Sequence, residues 1–295
     1  MDRKNLFLIL LILGTAFWGI SFPVVKLAIG HFSSSTFLFY RFLTASLVLS
    51  LIFAGQFNKT DWNSVKIGVS LAIPLTFGIY MQTLGIRHTS ASQCAFVAGM
   101  CVVIIPVLKI IFYKDTAPFK VWLAALVALA GLFVICIKDN LSINIGDLYT
   151  LIGALGFSIY LIKVEQHSKN LNIITTIVPM CTTCTLITAF LSSIDSNADW
   201  MPQSSTFWMG IAYCALFSTA YMYTISNLSQ RYLSAERVSI IYLFEPIFGA
   251  IAAFFILGEI LSWRLALGGS LIFAATLLSE VKLSKLSLLV KRSYR

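Results

Sequence analysis

The stretch LFLILLILGTAFWGISFPVVKLAI, residues 6–29, decides the fold. As a helix rising 1.5 Å per residue it spans about 36 Å, and the hydrocarbon core of a bilayer is about 30 Å thick. Its single charge, Lys26, stands near one end, where a lysine stem can reach the headgroups. A segment in lipid must satisfy its backbone internally, so it crosses as a helix. Arg3 and Lys4 precede it like the n-region of a signal peptide. The apolar run is longer than a signal core, however, and no small-residue cleavage site follows a short one, so the stretch is expected to stay as a first span.

Nine more apolar stretches follow, at 36–55, 66–86, 91–113, 118–137, 147–163, 173–192, 207–227, 235–257 and 262–281, joined by short polar links. The chain is 58% hydrophobic and only 11% charged, against about a quarter charged in a soluble domain. The expected fold is all-α: a polytopic membrane protein with ten transmembrane helices.

Numbering the compartments alternately sorts the basic residues. Fifteen lysines and arginines fall on one side, and Arg87, Lys138 and Arg264 on the other. This positive-inside bias puts both termini in the cytoplasm, with the chain in the cytoplasmic (inner) membrane. The net charge of +9 follows largely from that orientation and needs no nucleic acid. The tail 282–295 alternates basic residues with Leu283, Leu286, Leu288, Leu289 and Val290. It reads equally as a short interfacial helix on anionic lipid or as a solvated basic tail.

The six cysteines lie in or beside spans, away from outside loops where a structural disulfide would form. Cys181 and Cys184 have CxxC spacing, read here as packing. His31, His88 and His167 are scattered, so no metal site is expected. There is no glycine-rich phosphate loop with its lysine, and no cofactor is expected.

The chain echoes itself at an offset of 144. Arg87 meets Arg231, Ser90-Ala91 meets Ser234-Ala235, Asp115 meets Glu259, and Phe119-Lys120 meets Trp263-Arg264. At an offset of 142, Gly14–Trp18 resembles Gly156–Tyr160. Spans 1–5 thereby map onto spans 6–10. Five is odd, so the halves 1–137 and 138–281 would enter the membrane in opposite senses, as a five-plus-five inverted repeat.

Tyr242-Leu-Phe-Glu245-Pro246 runs on through small residues to Leu257-Gly258-Glu259, Trp263 and Gly268-Gly269. Together with Phe17-Trp18-Gly19, Tyr40-Arg41-Phe42 and Thr89-Ser90-Ala91-Ser92, this resembles the EamA-type family of the drug/metabolite transporter superfamily. Two departures stand out: Lys114-Asp115 replaces the Gly-Glu pair in the first half, and Pro106 sits one turn later than the register of Pro246. The resemblance implies ten helices, an inverted repeat, and transport of small organic metabolites, frequently outward.

Charges inside spans are the sharpest functional clue. Glu245 falls about midway along span 9, where a charge costs about 3 kcal/mol on insertion scales and a short carboxylate cannot reach the surface. It should face the bundle interior, either as a substrate-amine or proton-coupling site or as a structural hydrogen bond to a kinked neighbour. Lys26, Arg41 and Lys109 lie within a turn or two of an edge and read as snorkelling anchors, with Arg41 alternatively meeting a substrate carboxylate. Asp115 and Glu259 read as caps of the helices that follow them. Pro106 and Pro246 read as kinks, whether functional or merely tolerated. Trp18, Tyr80, Gln82, Tyr221 and Tyr242 lie on spans 1, 3, 8 and 9 and are expected to line one substrate pocket with Arg41 and Glu245. Small residues at Ala124/Ala128 and at Ala266/Ser270/Ala274 allow close helix approach, within the bundle or in a homodimer.

The expected function is secondary transport of a small organic metabolite, amino-acid-like or aromatic and exported, by alternating access. The alternatives are an intramembrane lipid-modifying enzyme, which would need clustered catalytic groups, and a facilitated uptake carrier.

Overall fold

The computed structural model describes residues 3–30, 32–89, 91–136, 144–168, 172–257 and 263–280. The expectations for the tail 282–295 and for Gly258-Glu259 fall outside these residues. Among the described residues every regular element is helical. In chain order these are α1 (Arg3–Ile29), α2 (Ser34–Ile52), a 3-10 turn (Ala54–Lys59), α3 (Trp62–His88), α4 (Ala91–Ala98), α5 (Cys101–Tyr113), α6 (Phe119–Cys136), α7 (Ile145–Ser168), α8 (Ile174–Ile194), α9 (Ser205–Tyr213), a π-helical run (Cys214–Tyr221), α10 (Met222–Ser229), α11 (Ala235–Tyr242), α12 (Glu245–Leu257) and α13 (Trp263–Glu280). Helices α1, α2, α3, α7 and α8 are each long and apolar enough to cross a membrane.

The helices begin where the sequence supplies acceptors for free amides. Ser33 accepts from the N–H groups of Ser35 and Thr36, Asp61 from Ser64, and Ser204 from Phe207. Two expected spans are broken. Gly99-Met100 separates α4 from α5, and Leu243-Phe244 separates α11 from α12. Pro246 is therefore no mid-helix kink. It is the second residue of α12, where a missing N–H costs nothing. Asp115 does not cap α6 either. Helix α5 ends on Lys114 in a left-handed conformation (φ 51°), and α6 starts only beyond Pro118. The exposed Asp115 lies between them, its N–H bonded to the Lys109 carbonyl.

Lipid tails do not drive helices together, so association depends on close backbone approach and interhelical hydrogen bonds. Helix α3 lies along α7, where a methyl group on Gly78 would meet the Gly153 carbonyl at 2.9 Å. Helix α1 crosses α12, where a methyl group on Gly19 would sit 2.5 Å from the Glu245 carbonyl oxygen. Helix α2 packs on α8 and α6 on α13, while α7 also contacts α4 and α5, and α1 also contacts α9 and α10. Ala124 and Ala128 are fully buried in the α6–α13 contact, whereas Ala266, Ser270 and Ala274 are exposed. Two arginines tie connections to the bundle in like manner: Arg87 donates to the Phe32 carbonyl (2.9 Å) and Arg231 to the Ser168 carbonyl (3.3 Å).

Candidate functional site

The two helix breaks face each other across a cavity of about 70 Å³, against roughly 10–15 Å³ for one water molecule. Ala95, Ala98, Gly99 and Cys101 line it from α4 and α5, and Ser239, Tyr242, Leu243 and Glu245 line it from α11 and α12. Each residue of the second set stands 144 positions after its counterpart in the first. Helix α3 supplies a wall of Gly78, Ile79, Gln82, Thr83 and Ile86, α7 supplies Gly153, Ala154 and Phe157, and α1 supplies Trp18, Ser21, Phe22 and Val25. The lining extends toward the end of the molecule that carries the α1–α2, α3–α4 and α8–α9 connections.

The break before Glu245 explains how an acid is held there. Glu245 opens α12, so its carboxyl stands by the positive end of a helix rather than in the middle of one. It faces the cavity, and its carboxyl has no hydrogen-bond or ion-pair partner among the described residues. Arg41 is the opposite charge in the same chamber. It is only 5% exposed, which overturns the expectation that it snorkels. Its Nε donates to Thr219 Oγ1 (2.7 Å) and its Nη2 to the Ser218 hydroxyl (3.2 Å) and carbonyl (3.3 Å). Its Nη1 has no partner among the described residues, and no carboxylate lies within ion-pair distance of the guanidinium there.

Ser218 and Thr219 belong to the π-helical run, whose wider turns are a known device at functional sites. The Ser218 carbonyl accepts from both Arg41 and the Trp18 indole N–H (2.9 Å). The Trp18 ring packs edge-on to Tyr242 (centroids 5.0 Å apart) and tilted against Phe157 (5.3 Å). The Tyr242 hydroxyl is 2.5 Å from Ser226 Oγ. One chamber thus holds an unpartnered acid, a guanidinium with a free edge, and an aromatic box.

Of the seven residues singled out in the sequence, Trp18, Arg41, Gln82, Tyr242 and Glu245 line this cavity, and Tyr80 and Tyr221 do not. Tyr221 turns to α1, donating to the Leu10 carbonyl (3.1 Å) with its ring edge on Phe17. Tyr80 is half-buried, two residues from Gln82 and so pointing elsewhere around α3. Phe157 also lines the cavity, and its only sequence signal is its place beside Gly156 in the segment that echoes Gly14–Trp18. Nothing in the apolar run around Ser218 and Thr219 signals that they hold Arg41.

Polar groups also cluster at the two ends. Beyond the cavity mouth, Ser33 (2.5 Å) and Ser35 (2.9 Å) donate to Asp195 Oδ2. The Ser33 hydroxyl, followed by the Asn197 N–H, holds the Asp195 carboxyl below the usual carboxylate range. At the opposite end Lys109 is buried rather than snorkelling, in ion pairs with Glu165 and Glu236. Lys26 is exposed at its helix edge, its Nζ donating to the Thr89 carbonyl (3.3 Å).

The EamA-like transporter family matches this chain twice, over residues 5–137 and 144–280. An "Uncharacterized transporter" of Archaeoglobus fulgidus is 24% identical over 265 residues, covering 90% of this chain and 82% of that protein. The "Uncharacterized transporter YyaM" of Bacillus subtilis (strain 168) is 25% identical over 270 residues, covering 85% of this chain and 86% of that one. A solved structure described as "Crystal structure of protein" superposes with a TM-score of 0.76 at 12% identity, with both chains covered in full, a likeness of fold alone.

Proposed function

The chain belongs to the EamA-like transporter family, and from that premise we propose that this membrane transporter is a secondary transporter exporting an amino-acid-like metabolite across the cytoplasmic membrane. Ten crossings form two inverted halves, 1–137 and 138–281, which rock about the cavity between the helix breaks. Both termini lie in the cytoplasm, as the basic asymmetry of the loops supports.

The observation that carries the reading is the pair of unmatched charges in one chamber. Burying a charge without a partner is costly, and such groups in membrane helices mark substrate or ion paths. Glu245 suits a substrate ammonium or a coupling proton, and the free edge of Arg41 suits a carboxylate. Trp18, Tyr242 and Phe157 offer apolar faces for a side chain, and Gln82 a neutral donor and acceptor. Tyr80 and Tyr221 drop out of the substrate set.

Several observations support the repeat. The family matches twice in succession. The breaks at Gly99-Met100 and Leu243-Phe244 are 144 residues apart. Helix α7 packs on α3 and on α4–α5 much as α1 packs on α9–α10 and on α12.

The test is a thermal-shift series on purified protein, followed by counterflow in liposomes. The series compares amino acids with their decarboxylated amines and their deaminated acids. Zwitterions should stabilise the protein and exchange, while analogues lacking either charge should do neither. Equal binding of all three classes would separate the two charges from recognition and defeat the proposal.

A further inference from the structure

Helix α10 and Gln230, the residue that follows it, repeat the cavity wall of α3 at the same offset of 144. Ile79, Gln82, Thr83 and Ile86 line the open cavity, and their counterparts Tyr223, Ser226, Asn227 and Gln230 are fully buried on the other side of the helix breaks. Polar side chains therefore fill a path-like position that is closed. They are poorly satisfied there: the Tyr223 hydroxyl and both polar atoms of the Gln230 amide are buried with no hydrogen-bond partner. Asn227 reaches the Tyr160 hydroxyl (2.5 Å), and Ser226 reaches Tyr242. Orphaned polar atoms at this density are a cost of the present state that water would remove.

An ion cluster closes the same end. Lys109 Nζ lies 2.5 Å from Glu165 Oε2 and 2.8 Å from Glu236 Oε1, with all three side chains nearly buried. Glu165 also accepts from the Ala235 N–H at the start of α11 (3.1 Å). The cluster is one helical turn below the cavity floor, since the hydroxyl of the lining residue Ser239 donates to the Glu236 carbonyl (2.8 Å). Lys109 comes from α5 in the first half, Glu165 and Glu236 from α7 and α11 in the second. The repeat positions at the other end are Ala253, Pro23 and Ser92, which cannot form ion pairs.

We infer that Tyr223, Ser226, Asn227 and Gln230 line the second half of the transport path, closed in this conformation and latched by Lys109 against Glu165 and Glu236. This rests on the alternating-access reading above. The chemistry suits a latch rather than a weld. A buried ion pair is strongly destabilising to break by removing one partner, but its net gain is small because both ions lost their hydration. Opening the path to water returns that hydration to all three groups at once and wets the orphaned amide and phenol.

The test is hydrogen exchange on the full-length protein in nanodiscs. Lys109→Glu replaces attraction with repulsion. It should speed exchange across 223–242 about fivefold or more and slow exchange at the opposite mouth, around 83–99. Adding Glu236→Lys restores opposite charges and should return both ends to wild type. If Lys109→Glu fails to give a monodisperse protein, Lys109→Met/Glu165→Gln/Glu236→Gln leaves no unpaired ion and should show the same opposed shifts. Unchanged exchange in a folded variant, or no rescue by the charge swap, would overturn the latch. Faster exchange at 223–242 without slowing at 83–99 would keep the latch as a local seal and sink the rocking of the two halves.

Discussion

Replacing Arg41 with methionine separates a functional charge from a structural one. The guanidinium makes one short hydrogen bond, to Thr219 (2.7 Å), and two longer ones from a single nitrogen to Ser218 (3.2 and 3.3 Å). A hydrogen bond from a charged donor contributes about 1.5–3 kcal/mol, so the set contributes about 3–5 kcal/mol, the long pair counting for less. Against this stands the desolvation of a nearly buried cation with no carboxylate beside it, itself several kcal/mol. The deletion orphans the buried Thr219 hydroxyl, a cost already counted in the lost 2.7 Å bond, and little else. The Ser218 carbonyl keeps the Trp18 indole (2.9 Å), and the Ser218 hydroxyl still donates to the Cys214 carbonyl (3.1 Å). The opposing terms nearly cancel. Arg41→Met should change stability by about 1 kcal/mol in either direction, a Tm shift of about 2–4 °C. Binding of a carboxylate substrate loses a charge-assisted contact of about 2–3 kcal/mol, which weakens Kd about 30- to 150-fold. Thermal unfolding in detergent, with and without ligand, reads both quantities. A Tm drop beyond about 10 °C with Kd unchanged would make Arg41 a strut of the π-helical run and remove it from the site.

Glu245→Gln keeps the shape and a donor but cannot release a proton; it should fold and yet lose net transport or its pH dependence, read as liposome flux at several internal and external pH values. Gly19→Ala puts a methyl group 2.5 Å from the Glu245 carbonyl and 2.7 Å from the Gly249 nitrogen, neither of which can yield, and should cost about 1–3 kcal/mol. Gly249→Ala, whose nearest contact is 3.3 Å, should cost distinctly less, and equal Tm losses would mean that α1 and α12 are not so close. Asp195 has its carboxyl held low by Ser33, so its stabilisation is present above about pH 4 and fades as pH falls through the lowered folded value; Asp195→Asn should lower Tm at pH 7, slightly because the group is near the surface, and not at all once both forms are protonated. Reporter fusions after Lys59 and Lys120 should read cytoplasmic, those near Ser34 and Ser196 external, and a cytoplasmic signal at Ser196 would break the proposed topology.

Apolar stretches announced the helices well because lipid demands both length and internal bonding, and most boundaries fall within a few residues of the expectation. The breaks were not legible. Leu243-Phe244 continues the apolar run that precedes it, and Pro246 reads as a kink until one sees that a helix starts just before it. Cavity-lining residues were legible where polarity was anomalous, as at Glu245, Gln82 and Arg41. Aromatic residues gave weaker guidance, since Tyr221 and Tyr242 look alike in sequence and differ only in which neighbour each ring finds. Lys109 reads as a snorkelling anchor because its partners, Glu165 and Glu236, are 56 and 127 residues away, and a lysine near a helix edge snorkels unless the fold brings it an acid.

The two helix breaks put unlike chemistry on like geometry. At the offset of 144, Glu245 stands opposite Cys101 and Tyr242 opposite Ala98, and all four line the cavity. If the halves exchange conformations, residues at the breaks stay in the chamber in both states, while the walls on α3 and α10 alternate. Recognition should then be set by Glu245, Tyr242, Trp18 and Arg41, whichever end is open. The walls differ instead in polarity: Ile79 and Ile86, which line the open cavity, correspond at the offset of 144 to Tyr223 and Gln230, which are buried. Hydrating the closed side therefore wets the orphaned groups of its wall and exchanges the Lys109 ion pairs for hydration of the separated ions. On the proposed repeat, the ion cluster seen at one end among the described residues would bias the scaffold toward this conformation, and the proposed substrate would supply the difference by binding more tightly as the chamber closes around its two charges.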